Sequence, residues 1–280
     1  MKIASEEILE TAIGACVEAS CMLKERFSSK GFKTSCKSSR ADLVTTCDLE
    51  SEKMIVEAIS KRYPNHAILT EETACDLEEL DFNAPLWIID PLDGTVNYAH
   101  GIPYYAISVG FMVEGSVIVG VVHIPTTGVT YTAIKGRGAF KKGERIYVSD
   151  TETLAKAVIA TGFPYKRDEE TIEEVSNSVK SMLREVGGIR RFGAAALDLC
   201  WVAEGVIDGF YEAYLNPWDI AAGGLIVREA GGKVCTLKPS PKPLPEDLKC
   251  TGYLAATPAI ADPLASWCQA PRKKRENGSG

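Results

Sequence analysis

The sequence predicts a fold of mixed helices and sheets, of the α/β or α+β class. Both halves of the 280-residue chain contain segments in which apolar residues recur at helical spacing, and the middle contains short apolar runs typical of strands. Hydrophobic residues make up 45% of the chain and charged residues 25%. A chain of this size and composition is able to bury a large core as one or two domains.

Two amphipathic helices are predicted to open the chain. The first begins at Ser5, and the second begins at Asp48 and ends at Pro64. Residues 28–47 lie between them, are rich in Ser, Lys and Thr, and have no clear period, so we expect a long loop or a poorly ordered hairpin. Long loops of this kind are often functional.

An antiparallel sheet is predicted in the middle of the chain. Its β-prone runs cover residues 67–70, 86–89, 107–113, 116–124 and 129–134. The second half returns to a mixed pattern, with helices expected over 169–186, 194–203 and 220–230 and a strand over 209–214. Gly231 and Gly232 follow the last of these helices, as glycine commonly does at a helix end.

Charge and composition argue against several classes of function. The formal net charge of −7 disfavours broad binding to nucleic acid or acidic membranes, which requires a basic surface. No run approaches the roughly 20 apolar residues that cross a bilayer, and the N-terminus enters a charged helical pattern directly, so we expect a cytoplasmic protein. Residues 271–280 contain a basic run, Arg272 to Arg275, and are predicted to form a disordered, solvated tail, with a localisation signal as the alternative.

Acidic residues stand at the edges of three apolar runs, where functional sites are usually built. They are Glu71 and Glu72 after residues 67–70, Asp90 and Asp93 after residues 86–89, and Asp219 in an Asn-Pro-Trp-Asp segment. Two carboxylates 4 Å apart repel each other by about 4 kcal/mol at an effective dielectric constant near 20, so a crowded set needs cations. Oxygen ligands favour Mg²⁺ over Zn²⁺, and the three histidines lack the spacing of metal ligands. Two or more Mg²⁺ ions fit this pattern best.

The hexapeptide Asp-Pro-Leu-Asp-Gly-Thr, which contains two of these acids, has two interpretations. By itself it is typical of an ordinary β-turn. Alternatively, a tight turn points Asp90 and Asp93 into one space. The amides of Gly94 and Thr95 then face outward and can hold a phosphate, and a helix that starts near Thr95 would add its positive N-terminal end.

The wider sequence around this hexapeptide resembles a family signature. Residues 87–95 read Trp-Ile-Ile-Asp-Pro-Leu-Asp-Gly-Thr and continue through Asn97 and Gly101 to Ser-Val-Gly at 108–110. Further along, residues 218–224 read Trp-Asp-Ile-Ala-Ala-Gly-Gly, followed by Glu-Ala-Gly-Gly at 229–232. Both segments resemble signatures of the inositol monophosphatase family, and the similarity extends to residues 42–46, 160–164 and 193–197.

This resemblance implies a layered αβαβα sandwich, a single catalytic domain over residues 1–270, and a homodimer. It also implies a Mg²⁺-dependent, lithium-sensitive phosphatase. The implied ligands are Glu71, Asp90 and the Leu92 carbonyl for a first ion, Asp90, Asp93 and Asp219 for a second, and Glu71 with Asp48 through water for a third, weaker ion. Adjacent strand residues point to opposite faces, so Glu71 and not Glu72 is the expected direct ligand.

Catalytic and substrate-binding residues also follow from the resemblance. Thr95, paired with Glu71, would orient the metal-activated water that attacks phosphorus, and Asp93 completes the catalytic set. The residues implied to contact substrate are Asp93, Gly94, Thr95, Gly193, Ala194, Ala195, Glu212, Asp219 and Lys37. Glu212 either accepts hydrogen bonds from sugar hydroxyls or is an exposed strand residue, and Lys37 is either a loop residue near the metals or an inert surface lysine.

A myo-inositol monophosphate is the substrate that the resemblance favours. Relatives with the same metal motifs hydrolyse histidinol phosphate, fructose 1,6-bisphosphate or 3′-phosphoadenosine nucleotides, so the motifs alone do not name the leaving group. The nucleotide-directed relatives are generally longer, and a carboxylate at Glu212 suits a polyol or a cationic histidinol. An alternative of a different class is an inactive relative that binds a phosphorylated ligand or a partner protein as a scaffold. The complete acidic set argues against it.

Overall fold

The computed structural model describes residues 4–36, 43–73, 77–166, 168–240 and 243–268. The helices are α1 (Ser5–Ser29), α2 (Thr46–Arg62), α3 (Thr95–Ala99), α4 (Glu169–Glu185), α5 (Ala195–Ala203), α6 (Pro217–Glu229) and α7 (Pro258–Cys268). The strands are β1 (Thr34–Cys36), β2 (Leu43–Thr45), β3 (Ala67–Thr70), β4 (Leu86–Asp93), β5 (Ala106–Val113), β6 (Ser116–Ile124), β7 (Val129–Ile134), β8 (Gly138–Lys141), β9 (Glu144–Ile146), β10 (Val158–Thr161), β11 (Gly188–Arg190), β12 (Gly209–Tyr214), β13 (Lys233–Thr236) and β14 (Thr251–Ala256). None of the helices in these ranges is both long enough and apolar enough to cross a membrane. The predicted tail over 271–280 lies outside the described residues.

Two sheets of unequal size organise the chain. The larger sheet has the strand order β3-β4-β5-β6-β7-β8-β9, in which β3 is parallel to β4 and the other neighbours are antiparallel. The smaller sheet has the order β11-β10-β12-β14-β13, in which β10 is parallel to both neighbours and β14 is antiparallel to both neighbours. A separate antiparallel pair, β1 and β2, lies within residues 28–47, for which the sequence predicted either a loop or a hairpin.

Helices cover both faces of the larger sheet because its strands alternate two sets of apolar side chains. In β5, Ile107, Val109 and Phe111 belong to the core that α1 and α2 cover. Ala106 and Met112 belong instead to the core that contains α5 and α6. The smaller sheet packs on the far side of α5 and α6, and its other face is covered by α4 and α7. The layers alternate helix and sheet, which confirms the predicted αβαβα sandwich.

Helix α6 approaches the larger sheet closely because small residues line the contact. A Cβ atom at Gly110 would lie 2.9 Å from the Cβ of Ala221. One at Gly120, its partner on β6, would lie 2.8 Å from the backbone oxygen of Ala222. The two glycines therefore let the N-terminal half of α6, which carries Asp219, lie directly on the sheet.

Replacing Gly120 by alanine is expected to lower the free energy of unfolding by about 1–3 kcal/mol, the usual range for an overpacked core. The new Cβ would meet backbone atoms of α6, which have no freedom to rotate away. Urea unfolding measures the change. The control is Gly14→Ala. Gly14 is exposed on α1 and a Cβ atom there would have nothing within 4 Å, so alanine should stabilise the protein by roughly 0.5–1 kcal/mol. Equal stability of the Gly120→Ala and wild-type proteins would contradict this account of the packing.

Most predicted elements lie where the sequence placed them, but α2, α6 and β4 differ at their ends by more than one residue, and β3 is parallel to β4 although an antiparallel sheet was predicted. Helix α6 begins earlier than predicted, because Pro217 suits the first helical position and the amide of Asn216, the N-cap residue, donates to the Asp219 carboxylate. Strand β4 runs on to Asp93 instead of ending at residue 89. An irregularity in its pairing with β5 accommodates Pro91, which has no amide to donate.

Candidate active site

The acidic residues that the sequence singled out line one cavity of about 670 Å³. It lies where the end of β4, the beginnings of α5 and α6, and strand β12 come together. The predicted site residues in its wall are Glu71, Asp90, Leu92, Asp93, Gly94, Thr95, Gly193, Ala194, Ala195, Glu212 and Asp219. Asp48 contacts this set through Thr95, and Lys37 lies outside the described residues.

A β-bulge directs both Asp90 and Asp93 into the cavity. Asp90 pairs with Ser108 of β5 and Asp93 pairs with Ala106, so β4 has one residue more than β5 between the two pairs. The extra residue breaks the alternation that would otherwise put residues three apart on opposite faces. The two carboxylates therefore share one space, as the sequence predicted from a tight turn, although the chain is still a strand here.

The carboxylate of Asp93 joins the end of β4 to the start of α5. It accepts hydrogen bonds from the amides of Ala195, at 3.1 Å, and Ala196, at 2.8 Å. These are amides of the first helical turn, which have no acceptor within their own helix. Burial nevertheless raises the pKa of Asp93 to about 7. The contact also holds the backbone of Gly193 and Ala194, which precedes α5, in the cavity wall.

Gly94 lets the chain turn from β4 into α3. Its φ of 93° lies in the left-handed region that glycine adopts without strain. A Cβ atom at this position would lie 3.0 Å from the carbonyl oxygen of Tyr104 and 3.3 Å from that of Gly193. Glycine thus brings two backbone segments together, the one that leads to Thr95 and the one that leads to α5.

The hydroxyl of Thr95 contacts an acid with which the sequence did not pair it. Its oxygen lies 2.8 Å from Oδ1 of Asp48 and 3.1 Å from the carbonyl oxygen of Leu92. Oδ2 of Asp48 accepts hydrogen bonds from the amide of Thr45, at 2.8 Å, and from its hydroxyl, at 2.5 Å. Thr45 and Asp48 have the spacing of a capping box, which was the available sign that Asp48 belongs to the first turn of α2.

Asp219 and Glu71 reach the cavity from two further elements. Asp219 lies in the first turn of α6, and its Oδ2 accepts a hydrogen bond from the amide of Asn216 at 2.6 Å. Glu71 follows the last residue of β3 and lines the cavity, as the sequence predicted. The amide of its neighbour Glu72 donates instead to Glu52 of α2.

Burial and mutual repulsion raise the pKa values of the clustered acids. The pKa of Asp90 lies well above its usual range, first because the group is buried and then because Glu71 and Asp93 are close. The pKa of Asp219 is raised well above its usual range by burial and by Glu71. Bound cations would relieve this repulsion and favour the ionised carboxylates.

The donors around the cavity have the chemistry that Mg²⁺ prefers, since carboxylate and carbonyl oxygens are its usual protein ligands. Within the described ranges, no three acidic, histidine or cysteine side chains are already gathered into a metal cage. Oxygens of Asp90, Asp93 and Asp219 instead accept hydrogen bonds from backbone amides. The fit to Mg²⁺ therefore rests on the type of donor and on the acidic charge of the cavity.

Glu212 and Arg191 form a further part of the cavity wall. Glu212 is half-buried on β12, and its pKa is raised to about 8 by burial and by Asp198, while Arg191 acts in the opposite direction. The guanidinium of Arg191 lies 5.8 Å from the ring centre of Phe163. Arg191 was not predicted to belong to the site, because a basic residue beside a short strand is usually a surface residue.

Comparison with known proteins identifies the family of the chain that forms this cavity. The profile of the inositol monophosphatase family matches residues 4–270. The chain belongs to the inositol monophosphatase family. This family consists of Mg²⁺-dependent phosphatases that act on small phosphorylated substrates. The family resemblance inferred from the two signature segments is thereby confirmed.

Individual relatives agree with this assignment. Inositol monophosphatase 1 of Homo sapiens is 42% identical over 198 residues, which cover 70% of this chain and 72% of the human protein. A protein of Aquifex aeolicus named fructose-1,6-bisphosphatase/inositol-1-monophosphatase is 41% identical over 227 residues, 81% of this chain and 84% of that protein. The crystal structure of the extragenic suppressor protein suhB from Bartonella henselae matches with a TM-score of 0.84 and 33% identity, covering 94% of this chain and 99% of the other.

Proposed function

We propose that this phosphatase hydrolyses phosphomonoesters of small polyols in the presence of Mg²⁺, with myo-inositol monophosphate as its substrate. The observation that carries this proposal is the convergence of Asp90, Asp93 and Asp219 on the cavity that also contains Thr95 and Glu212. The acids supply a place for cations, and Glu212 supplies an acceptor for hydroxyl groups.

The ligands proposed for two to three Mg²⁺ ions are Glu71, Asp90 and the Leu92 carbonyl, then Asp90, Asp93 and Asp219, and finally Glu71 with Asp48 through water. When bound, such ions stabilise the charge of the transferring phosphoryl group and of the leaving alkoxide, and they make water more acidic. The negative charge of the cavity is what makes this cation binding favourable.

The protein's own groups orient the reactants. The Thr95 hydroxyl donates to Asp48, which fixes its rotamer and leaves a lone pair on the oxygen to accept a hydrogen bond from the attacking water. Glu71 lines the same cavity and is proposed to act with Thr95 on that water. Phosphate oxygens are proposed to bind the amides of Gly94 and Thr95. The backbone of Gly193, Ala194 and Ala195 is proposed to contact the substrate.

At a pH above about 8, where the Glu212 carboxylate is ionised, Glu212→Gln is expected to lower kcat/KM for myo-inositol 1-phosphate by about tenfold, the loss that follows when a hydrogen bond to a charged group is weakened. The same variant should change kcat/KM for p-nitrophenyl phosphate by less than about threefold, because that substrate has no hydroxyl groups to bind. Glu173→Gln, at an exposed position of α4, is the matched control. Equal losses for both substrates would exclude a role of Glu212 in recognising hydroxyl groups.

Substrate identity is tested by phosphate release from myo-inositol 1-phosphate, histidinol phosphate, fructose 1,6-bisphosphate and 3′-phosphoadenosine 5′-phosphate. The proposal predicts the highest kcat/KM for the inositol ester. The name of the Aquifex aeolicus relative makes fructose 1,6-bisphosphate the second candidate. Preference for another ester would keep the hydrolytic chemistry and change the substrate. No turnover of any ester would favour the scaffold alternative.

Three further properties stay predictions, the homodimer and lithium inhibition from the family resemblance and the cytoplasmic location from the sequence pattern. A homodimer is tested by sedimentation equilibrium, and inhibition by lithium is tested by LiCl titration of phosphate release. A cytoplasmic location is tested by fractionation of the source cells. None of these properties is needed for the proposed chemistry, which uses residues of one chain.

A further inference from the structure

One face of α2 places three neighbouring polar residues in the interior. Asp48, Ser51 and Glu52 are only 1%, 0% and 5% exposed. Their spacing of three and four residues puts them on the same side of the helix. Buried polar groups are normally hydrogen-bonded, so each of these side chains is expected to have a partner.

Each of the three side chains contacts a different segment that leads to the cavity. Asp48 accepts the hydroxyl of Thr95, and Ser51 donates to the carbonyl oxygen of Pro91 at 2.8 Å. Glu52 uses both carboxylate oxygens: Oε2 accepts the amide of Glu72 at 3.0 Å, and Oε1 accepts the hydroxyl of Thr73 at 2.7 Å. The helix therefore holds segments from β3, β4 and α3 in a common frame.

The contact made by Glu52 bears most directly on Glu71. Strand β3 is an edge strand that pairs with β4 up to Thr70, so Glu71 lies just beyond the paired residues. The next two residues after Glu71 are the ones that Glu52 holds. The hydroxyls of Thr70 and Thr73 also lie 3.0 Å apart, which closes the turn from the other side.

We propose that Glu52 is a positioning residue that sets the affinity of the site for divalent cations by fixing the turn that carries Glu71. The inference rests on the proposed function, in which Glu71 is a cation ligand. Residues that orient a metal ligand typically change metal affinity by roughly 10- to 100-fold when they are removed. Glu52 acts through hydrogen-bond geometry, and its charge is not required.

Glutamine separates geometry from charge at this position. Its amide oxygen accepts the hydrogen bond from the Glu72 amide, and its NH₂ group donates to the Thr73 hydroxyl, which is able to accept as well as donate. Glu52→Gln therefore preserves both contacts, whereas Glu52→Ala removes both. Glu57→Ala is the matched control, because Glu57 lies on the exposed side of the same helix and pairs with Lys53 at 3.8 Å.

The test is a titration of the protein with Mn²⁺ in the absence of substrate, because Mn²⁺ takes the same oxygen ligands as Mg²⁺. The electron paramagnetic resonance signal of free Mn²⁺ measures how much of the ion is bound. Glu52→Ala should weaken binding by about 10- to 100-fold, while Glu52→Gln and Glu57→Ala should stay within about threefold of wild type. Thr73 is exposed, so Thr73→Val is expected to fold, and it should weaken Mn²⁺ binding by an intermediate factor. Activity assays should then show a higher Mg²⁺ requirement with kcat at saturating Mg²⁺ little changed.

Several outcomes would overturn the inference. A folded Glu52→Ala protein that binds Mn²⁺ like wild type would exclude a positioning role, and a Glu52→Gln protein as weak as Glu52→Ala would show that charge matters instead. If Glu52→Ala does not fold, wild-type affinity in Thr73→Val decides against the inference. Absence of Mn²⁺ binding by wild type would remove the proposed function as well, which distinguishes the two failures.

Discussion

Replacing Asp93 by asparagine is expected to lower kcat for myo-inositol 1-phosphate by about 100- to 1,000-fold, the loss that usually follows removal of one strong electrostatic contact in a transition state. Asparagine removes a negative charge from the proposed cation site. The Asp93 carboxylate accepts hydrogen bonds from the amides of Ala195 and Ala196, and asparagine would turn its NH₂ group toward one of these two amides. One buried donor then loses its acceptor, which costs about 1–3 kcal/mol and loosens the backbone of Gly193 and Ala194.

Steady-state kinetics at saturating Mg²⁺ measures this loss. Asp150→Asn is the matched control, since Asp150 is exposed and lies outside the cavity wall. Circular dichroism establishes that the Asp93→Asn protein is folded. A folded variant with kcat within about tenfold of wild type would remove Asp93 from the catalytic machinery.

Without divalent cations, the protein is expected to lose stability as the pH rises from about 4 to about 7. The pKa of Asp93 is raised from 3.8 to about 7 in the folded protein. In this pH range the folded state keeps the proton and the unfolded state has lost it, so the free energy of unfolding falls with increasing pH. The raised pKa values of Asp90 and Asp219 act in the same direction. Above about pH 7 the contribution of Asp93 becomes constant.

Thermal unfolding with EDTA and with Mg²⁺, at pH 5 and pH 8, measures this effect. For a chain of this length, each 1 kcal/mol corresponds to about 2–4 °C in Tm. The EDTA samples should show the larger drop in Tm between the two pH values, because bound cations favour the ionised carboxylates. Asp93→Asn should reduce the slope, since asparagine does not titrate. A Tm in EDTA that rises between pH 5 and pH 8 would show that the acids are not held in a repulsive cluster.

The sequence predicted those elements whose pattern is local. Strands β6, β7 and β12 have the predicted bounds because their apolar residues and flanking turns are sufficient evidence. Strands β10, β13 and β14 were missed, since β10 and β13 have only four residues each and the apolar residues of all three become a pattern only when the smaller sheet is assembled. Helix α7 was also missed because it begins with Pro258 and contains Pro263, and proline usually indicates a helix end.

The acidic residues of the site were predictable, because they lie at strand ends and within the signature segments. The sequence indicated that Asp90, Asp93 and Asp219 belong together, and they line one cavity. The hydrogen bond between Thr95 and Asp48 was not predictable, because it joins residues 47 positions apart through packing of α2 on β4. The contacts of Glu52 were not predicted either, because a glutamate in an amphipathic helix is normally assigned to the exposed face.

The proposed Mg²⁺-dependent hydrolysis is tested by phosphate release from myo-inositol 1-phosphate by the purified protein, with Mg²⁺ varied from zero in EDTA to saturation. We expect turnover that depends on Mg²⁺ and is lost in Asp93→Asn. Turnover that is independent of Mg²⁺, or no turnover at any Mg²⁺ concentration by a protein that still binds the ester, would contradict the proposal of a Mg²⁺-dependent inositol monophosphatase.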